Sequence, residues 1–146
     1  MASGRSASHL RRLIVKACQA LARRGLVAAT DGNLSARLGP DRFLVTASGV
    51  AKGEIVESQV LVCDGEGRKV SKSRPAGLRI SSEVQVHLAA YRQRPEIGAV
   101  VHAHPPLASA FTFAGLDEIL TRPIIPEMVA QVGPVRTVPY CTPGTK

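Results

Sequence analysis

Residues 34–46 constrain the fold most. Leu34-Ser35-Ala36-Arg37-Leu38 alternates apolar and polar side chains, Gly39-Pro40-Asp41 turns the chain, and Arg42 to Thr46 forms a second strand. A period of two sends alternate side chains to opposite faces of a sheet, and strands joined by so short a turn pair antiparallel. A second signal of this kind follows: Val60 to Cys63 and Arg68 to Val70 flank Asp64-Gly65-Glu66-Gly67, whose glycines supply unusual backbone angles. The expected sheet is mainly antiparallel rather than doubly wound.

Helices frame these strands. From His9 to Arg24, Leu10, Leu13, Ile14, Ala17, Cys18, Leu21 and Ala22 recur at helical spacing, with Arg11, Arg12, Lys16, Gln19 and Arg23 opposite. Ser8 is the expected N-cap and Gly25 the stop. Ser82 followed by Gln85 is a capping-box pattern, opening a helix to about Arg92 or Gln93 that Arg94-Pro95-Glu96 ends. Ala99 to His104 reads as a strand closed by Pro105-Pro106, and Leu107 to Phe113 as a short helix with Gly115 beyond it. Pro123, Pro126 and Pro134 then break the chain until Val135 to Val138, a last strand. No internal repeat or linker divides residues 1–146, so a single domain is expected.

Composition narrows the function classes. There is no apolar run near the length of a membrane span. The N-terminus carries Arg5, Arg11 and Arg12 without the apolar core of a secretory signal, so the expected location is cytoplasmic. Cys18, Cys63 and Cys141 are odd in number and far apart, against a disulfide framework or a thiolate zinc site. A net charge of +8 favours an anionic partner or a solvated basic face. Nucleic acid is the weaker candidate, because no Trp, two Tyr and three Phe offer few stacking platforms.

The chemistry-bearing residues cluster between Ser81 and His104. On a strand His102 and His104 point to one face, near enough to share a metal ion. Imidazole is a preferred zinc donor, and a catalytic zinc takes three protein ligands and keeps one open position; a polar strand face accounts for the same pair. Glu83, in the first turn of a helix, is favoured there by the dipole and also suits a metal ligand or general base. His87, one turn on, shares its face and reads as either a neighbour in the site or a bonded core histidine. Ser81 and Ser82 form an anion-binding corner or simply a cap. The turns Thr30-Asp31-Gly32-Asn33 and Ala47-Ser48-Gly49 are hairpin punctuation or further polar contacts.

Taken in order, Asp31-Gly32-Asn33-Leu34-Ser35-Ala36-Arg37, Thr46-Ala47-Ser48-Gly49, Ser81-Ser82-Glu83 and Val101-His102-Ala103-His104-Pro105 resemble the class II aldolase/adducin family. The likeness extends to Pro139-Tyr140-Cys141-Thr142-Pro143-Gly144-Thr145. It implies an α/β fold, a three-layer αβα sandwich around a mainly antiparallel sheet, commonly assembled as a tetramer with sites between subunits. It further implies a zinc-dependent (or other divalent-metal) lyase that cleaves a phosphorylated ketose, such as a sugar 1-phosphate, through a metal-stabilised enediolate. By that likeness Asn33, Ser48, Gly49, Ser81 and Ser82 hold the substrate phosphate, Glu83 is the acid/base and His102 and His104 hold the metal. Lys52 or Arg79 would add steering.

Two departures qualify the resemblance. Asp31 stands where the family often has an uncharged residue, and its carboxylate repels a phosphate unless turned away. The family's third zinc histidine lies in a later Asn-His-Gly-type segment, which this chain lacks, so the C-terminal part of the family domain is expected to be missing. Three readings follow: an aldolase; a dehydratase, epimerase or decarboxylase using the same groups, with Glu127 a candidate second carboxylate; and a non-catalytic adducin-like or truncated module.

Overall fold

The structure of the protein is a computed structural model that describes residues 6–70, 76–116, 118–122, 125–133, 135–140 and 142. Arg5, Pro123, Pro134, Cys141 and the closing Pro143–Lys146 turn lie outside the described residues.

Four strands form one antiparallel sheet: β1 (Asn33–Gly39), β2 (Arg42–Thr46), β3 (Val60–Cys63) and β4 (Ala99–His102), in the order β3-β2-β1-β4. The alternation in residues 34–46 has the expected register, with Ser35 opposite Val45, Ala36 opposite Leu44 and Arg37 opposite Phe43. Strand β4 pairs with the other edge of β1, setting Asn33 opposite His102.

The two faces carry different cores. Leu34, Ala36 and Leu44 pack with Ile14 and Cys18 of α1 (Ala7–Arg23). Phe43, Val45 and Cys63 pack with Val84, Leu88 and Tyr91 of α2 (Val84–Gln93). Because neighbouring strand residues face opposite ways, the helices lie on opposite sides of the sheet, giving helix, sheet and helix in three layers. The expected mixed fold with an antiparallel sheet is the observed one.

Local expectations changed in several places. Helix α1 starts earlier than expected, because Ser6 caps it and accepts from the His9 N–H at 3.2 Å; Ser8 lies inside, accepting from Arg12. Gly25 follows the helix at φ +67°, the left-handed conformation expected of its stop. The capping box on Ser82 does not form. Helix α2 begins at Val84, leaving Gln85 too early in the first turn to reach back, and its side chain donates to the Glu66 carbonyl at 3.0 Å.

Arg68 to Val70 is not a strand but an isolated bridge between Cys63 and Lys69. Asp64 draws the turn onto itself, accepting from the N–H groups of Glu66 and Arg68 at 3.0 and 2.9 Å. Strand β4 stops at His102, short of the expected His104. Val135 to Val138 has no ladder partner among the described residues and is not a strand.

Beyond β4, α3 (Pro106–Phe113) and the single turn α4 (Glu118–Thr121) precede a π-type turn at Met128–Val132. Helix α3 has no buried residue, and Leu107 and Phe113 are 78% and 90% exposed. An apolar cavity of about 320 Å³ between α1 and β4 is lined by Leu10, Leu13, Ala17, Ala99 and Val101, among others. No described helix is long and apolar enough to cross a membrane.

Candidate active site

Antiparallel pairing gathers the candidate residues at one end of the sheet. Strand β1 starts there with Asn33, β4 ends there with His102, and β2 runs out there into Ala47-Ser48-Gly49. The segment before α2 joins them through a bridge between Ala47 and Ile80 and a 2.9 Å bond from the Ser48 N–H to the Arg79 carbonyl. Glu83 is thereby brought against β1 and β4 although it is 50 residues from Asn33 in sequence.

A connected set of polar groups results. The Asn33 side-chain amide donates to Glu83 Oε2, and the same carboxylate oxygen lies 3.1 Å from His102 Nδ1. On the far side of that ring, His102 Nε2 lies 3.2 Å from His104 Nε2. Hydrogen bonding to Glu83 assigns the ring proton to Nδ1 and leaves the His102 Nε2 lone pair facing His104. Asn33 is 2% exposed, and its Oδ1 has no protein partner among the described residues.

The histidine pair fits a divalent cation. Two Zn–N bonds of ~2.0–2.1 Å at a tetrahedral angle place their nitrogens about 3.3 Å apart, close to the observed 3.2 Å. Carboxylate, imidazole and metal in line form a common support for a ligating histidine. The set is partial, since no group of three His, Cys, Asp or Glu is arranged to hold a metal among the described residues.

His87 takes a structural place. It is fully buried, with Nδ1 2.7 Å from Ser35 Oγ, which also lies 2.8 Å from Tyr91 OH. Burial pushes its pKa down to about 4, the His102 ring adds to the effect and Glu83 opposes it. Of the two readings open from sequence, the bonded core histidine is the observed one, with Ser35 as the partner in place of Glu83.

Ser48, Gly49 and Ser82 are exposed around this end, while Ser81 is buried and its Oγ accepts from the Glu83 N–H at 3.4 Å. Gly49 has φ +71° and open space where a side chain would stand. Asp31 is solvent-exposed, so the carboxylate that departs from the family pattern is free to turn outward.

Two residues were misjudged or missed from sequence. Lys52, expected with Arg79 as a candidate steering group around the cleft, is 1% exposed. Gly32, which looked like turn punctuation, has φ +69°, and a Cβ there would lie 2.6 Å from the His102 carbonyl oxygen. Only a glycine lets that turn approach the histidine strand so closely; its position directly before Asn33 was the available signal.

Residues 12–146 match the Class II Aldolase and Adducin N-terminal domain family. The chain belongs to that family. Its enzymes are generally metal-dependent. The L-fuculose phosphate aldolase of Escherichia coli O6:H1 is 36% identical over 141 residues, covering 94% of this chain and 60% of the relative. The 3-oxo-tetronate 4-phosphate decarboxylase of Haemophilus influenzae is 33% identical over 137 residues, covering 91% and 62%. Among solved structures, YgbL of Klebsiella pneumoniae superposes with a TM-score of 0.84 at 32% identity, covering 97% of this chain and 67% of that one. Relatives named as dehydratases also match, so family membership spans aldolases, decarboxylases and dehydratases. The chain spans about 60% of the length of the curated aldolase relatives it matches.

Proposed function

We propose that this chain, as one domain over residues 1–146, carries the substrate- and metal-binding end of a lyase that cleaves a phosphorylated ketose, such as a sugar 1-phosphate, by a retro-aldol reaction. The observation that supports this reading best is the line of groups from Asn33 through Glu83 and His102 to His104. His102 Nε2 and His104 Nε2 would hold Zn2+ or another divalent cation, which when bound polarises a carbonyl as a Lewis acid.

The remaining chemistry is assigned to the chain's own side chains. Glu83 moves the proton at Oε2, the oxygen that accepts from Asn33. Asn33 fixes that carboxylate against His102, so the proton carrier stays beside the metal-binding pair. Ser48, Gly49, Ser81 and Ser82 hold the phosphate with hydroxyls and backbone N–H groups, supported by the absence of a protein acceptor for the N–H groups of Gly49 and Ser82 among the described residues. Asn33 borders the same turns. Exposed Leu107 and Phe113 support assembly into a homo-oligomer, with a tetramer as the proposed state. Membrane and nucleic-acid partners are not proposed; the location remains a cytoplasmic proposal.

The same proton carrier and cation site serve a sugar-phosphate dehydratase, epimerase or decarboxylase, and relatives named for two of these reactions favour keeping that second reading. The test is a zinc titration followed by assays on a panel of ketose 1-phosphates. Release of an aldehyde and a three-carbon ketone phosphate supports the retro-aldol reading; loss of water selects the dehydratase, conversion to an isomer of the same mass selects the epimerase, and loss of carbon dioxide from a phosphorylated 3-oxo acid added to the panel selects the decarboxylase. A chain that binds no divalent cation leaves only the non-catalytic, adducin-like module.

A further inference from the structure

Lys52 is a buried cation without a counter-ion among the described residues. Its side chain is 1% exposed, and among the described residues its ammonium forms no salt bridge. Nζ donates to the carbonyls of Thr30 at 2.9 Å and Val50 at 2.7 Å, and the Lys52 N–H donates to the Ala29 carbonyl at 3.0 Å. One ammonium therefore clamps the turn that leads into Asn33 to the turn that carries Ser48 and Gly49.

Two carbonyls solvate the charge but do not neutralise it. Taking an ammonium out of water is costly unless an opposite charge compensates it, and a neutral donor would tether the same two carbonyls. Cys18, whose field reaches Lys52, is no counter-ion: burial pushes its thiol up to about 11, so it is uncharged near neutrality. Asp31 and Glu83 contribute at longer range, and burial still lowers the Lys52 pKa from its ordinary value. Among the described residues the cation lacks a close anion at the place where the two turns meet.

We infer that Lys52 is the positioning residue of the anion subsite: its buried ammonium fixes the Thr30–Asn33 and Ser48–Val50 turns and supplies the positive potential for a phosphoryl group bound on them. This rests on the proposed phosphate role of those turns. It assigns to Lys52 a function through the turns and their field, without direct contact to substrate.

Calorimetric titration of the full chain with inorganic phosphate at low salt tests it. Wild type binds phosphate, Lys52→Gln keeps an N–H donor for the carbonyls but loses affinity roughly 10- to 100-fold, and Lys52→Arg, which keeps the positive charge, binds phosphate more tightly than Lys52→Gln. Equal affinity in wild type and Lys52→Gln overturns the inference. Absence of phosphate binding in wild type instead overturns the subsite reading beneath it. If Lys52→Gln does not fold, NMR of wild type labelled at lysine Cε puts the same question to the five lysines: saturating phosphate must raise the titration midpoint of the buried one, and an unmoved midpoint overturns the role.

Discussion

Glu83 Oε2 sits 3.1 Å from His102 Nδ1, on the opposite side of the ring from the Nε2 that faces His104. In the proposed site this arrangement would let the carboxylate support the metal-binding ring from behind. Glu83→Gln preserves the shape and an oxygen acceptor but removes the acid/base group. The expected result is a drop in kcat of about 10²–10⁴-fold with zinc affinity reduced no more than ~10–100-fold. Full activity in the variant would remove Glu83 from the proposed reaction.

The 3.2 Å between the two Nε2 atoms makes a separate prediction. Replacing either His102 or His104 by Ala breaks the chelate, so each single variant should lose more zinc affinity than the ~10–100-fold typical of an outer-shell partner. The double variant should lose little beyond either single change. Calorimetry with zinc measures all three, and independent, additive losses would argue against one shared ion.

Gly32 and Gly25 offer a matched pair for backbone strain. Both have positive φ, but only at Gly32 would a Cβ meet backbone, at 2.6 Å from the His102 carbonyl oxygen. Gly25→Ala should cost about 1–2 kcal/mol from conformation alone. Gly32→Ala should cost more, about 3–4 kcal/mol, and should also weaken zinc binding by displacing β4. Urea unfolding ranks the two, and equal losses would mean that β4 yields without cost.

His87 makes stability pH-dependent. Its folded pKa is lowered to about 4 from 6.5, so between these values the unfolded chain binds more protons than the folded one. Stability should therefore rise with pH from about 4 to 6.5 and then level off with respect to this group. The contribution lost on full protonation is on the order of 3 kcal/mol. His87→Gln should flatten that segment of the curve measured by urea unfolding at successive pH values.

Much of the fold was legible because it is written in local patterns. The alternation of residues 34–46 and the apolar stripe of α1 survive almost unchanged, since each depends on which face its own side chains present. The capping box expected on Ser82 and the strand expected at Arg68–Val70 did not form. Gln85 found a partner 19 residues away, beyond any local window, and Asp64 closed its own turn by accepting from the Glu66 and Arg68 N–H groups in place of a ladder.

The site divides in the same way. Sequence alone determined that His102 and His104 lie close together at the end of one strand and that Glu83 stands where a helix opens, because short spacing and local pattern fix these; it placed Asn33 in a turn, and the structure makes it the first residue of β1. Only the tertiary structure decided that Asn33 and Glu83 would meet His102, that His87 would turn to Ser35, and that Lys52 would be buried rather than exposed. Those outcomes depend on the order β3-β2-β1-β4 and on α2 crossing one face of that sheet. Pairing across the sheet sets which polar groups lose water together, and that shared desolvation gives the groups their chemistry.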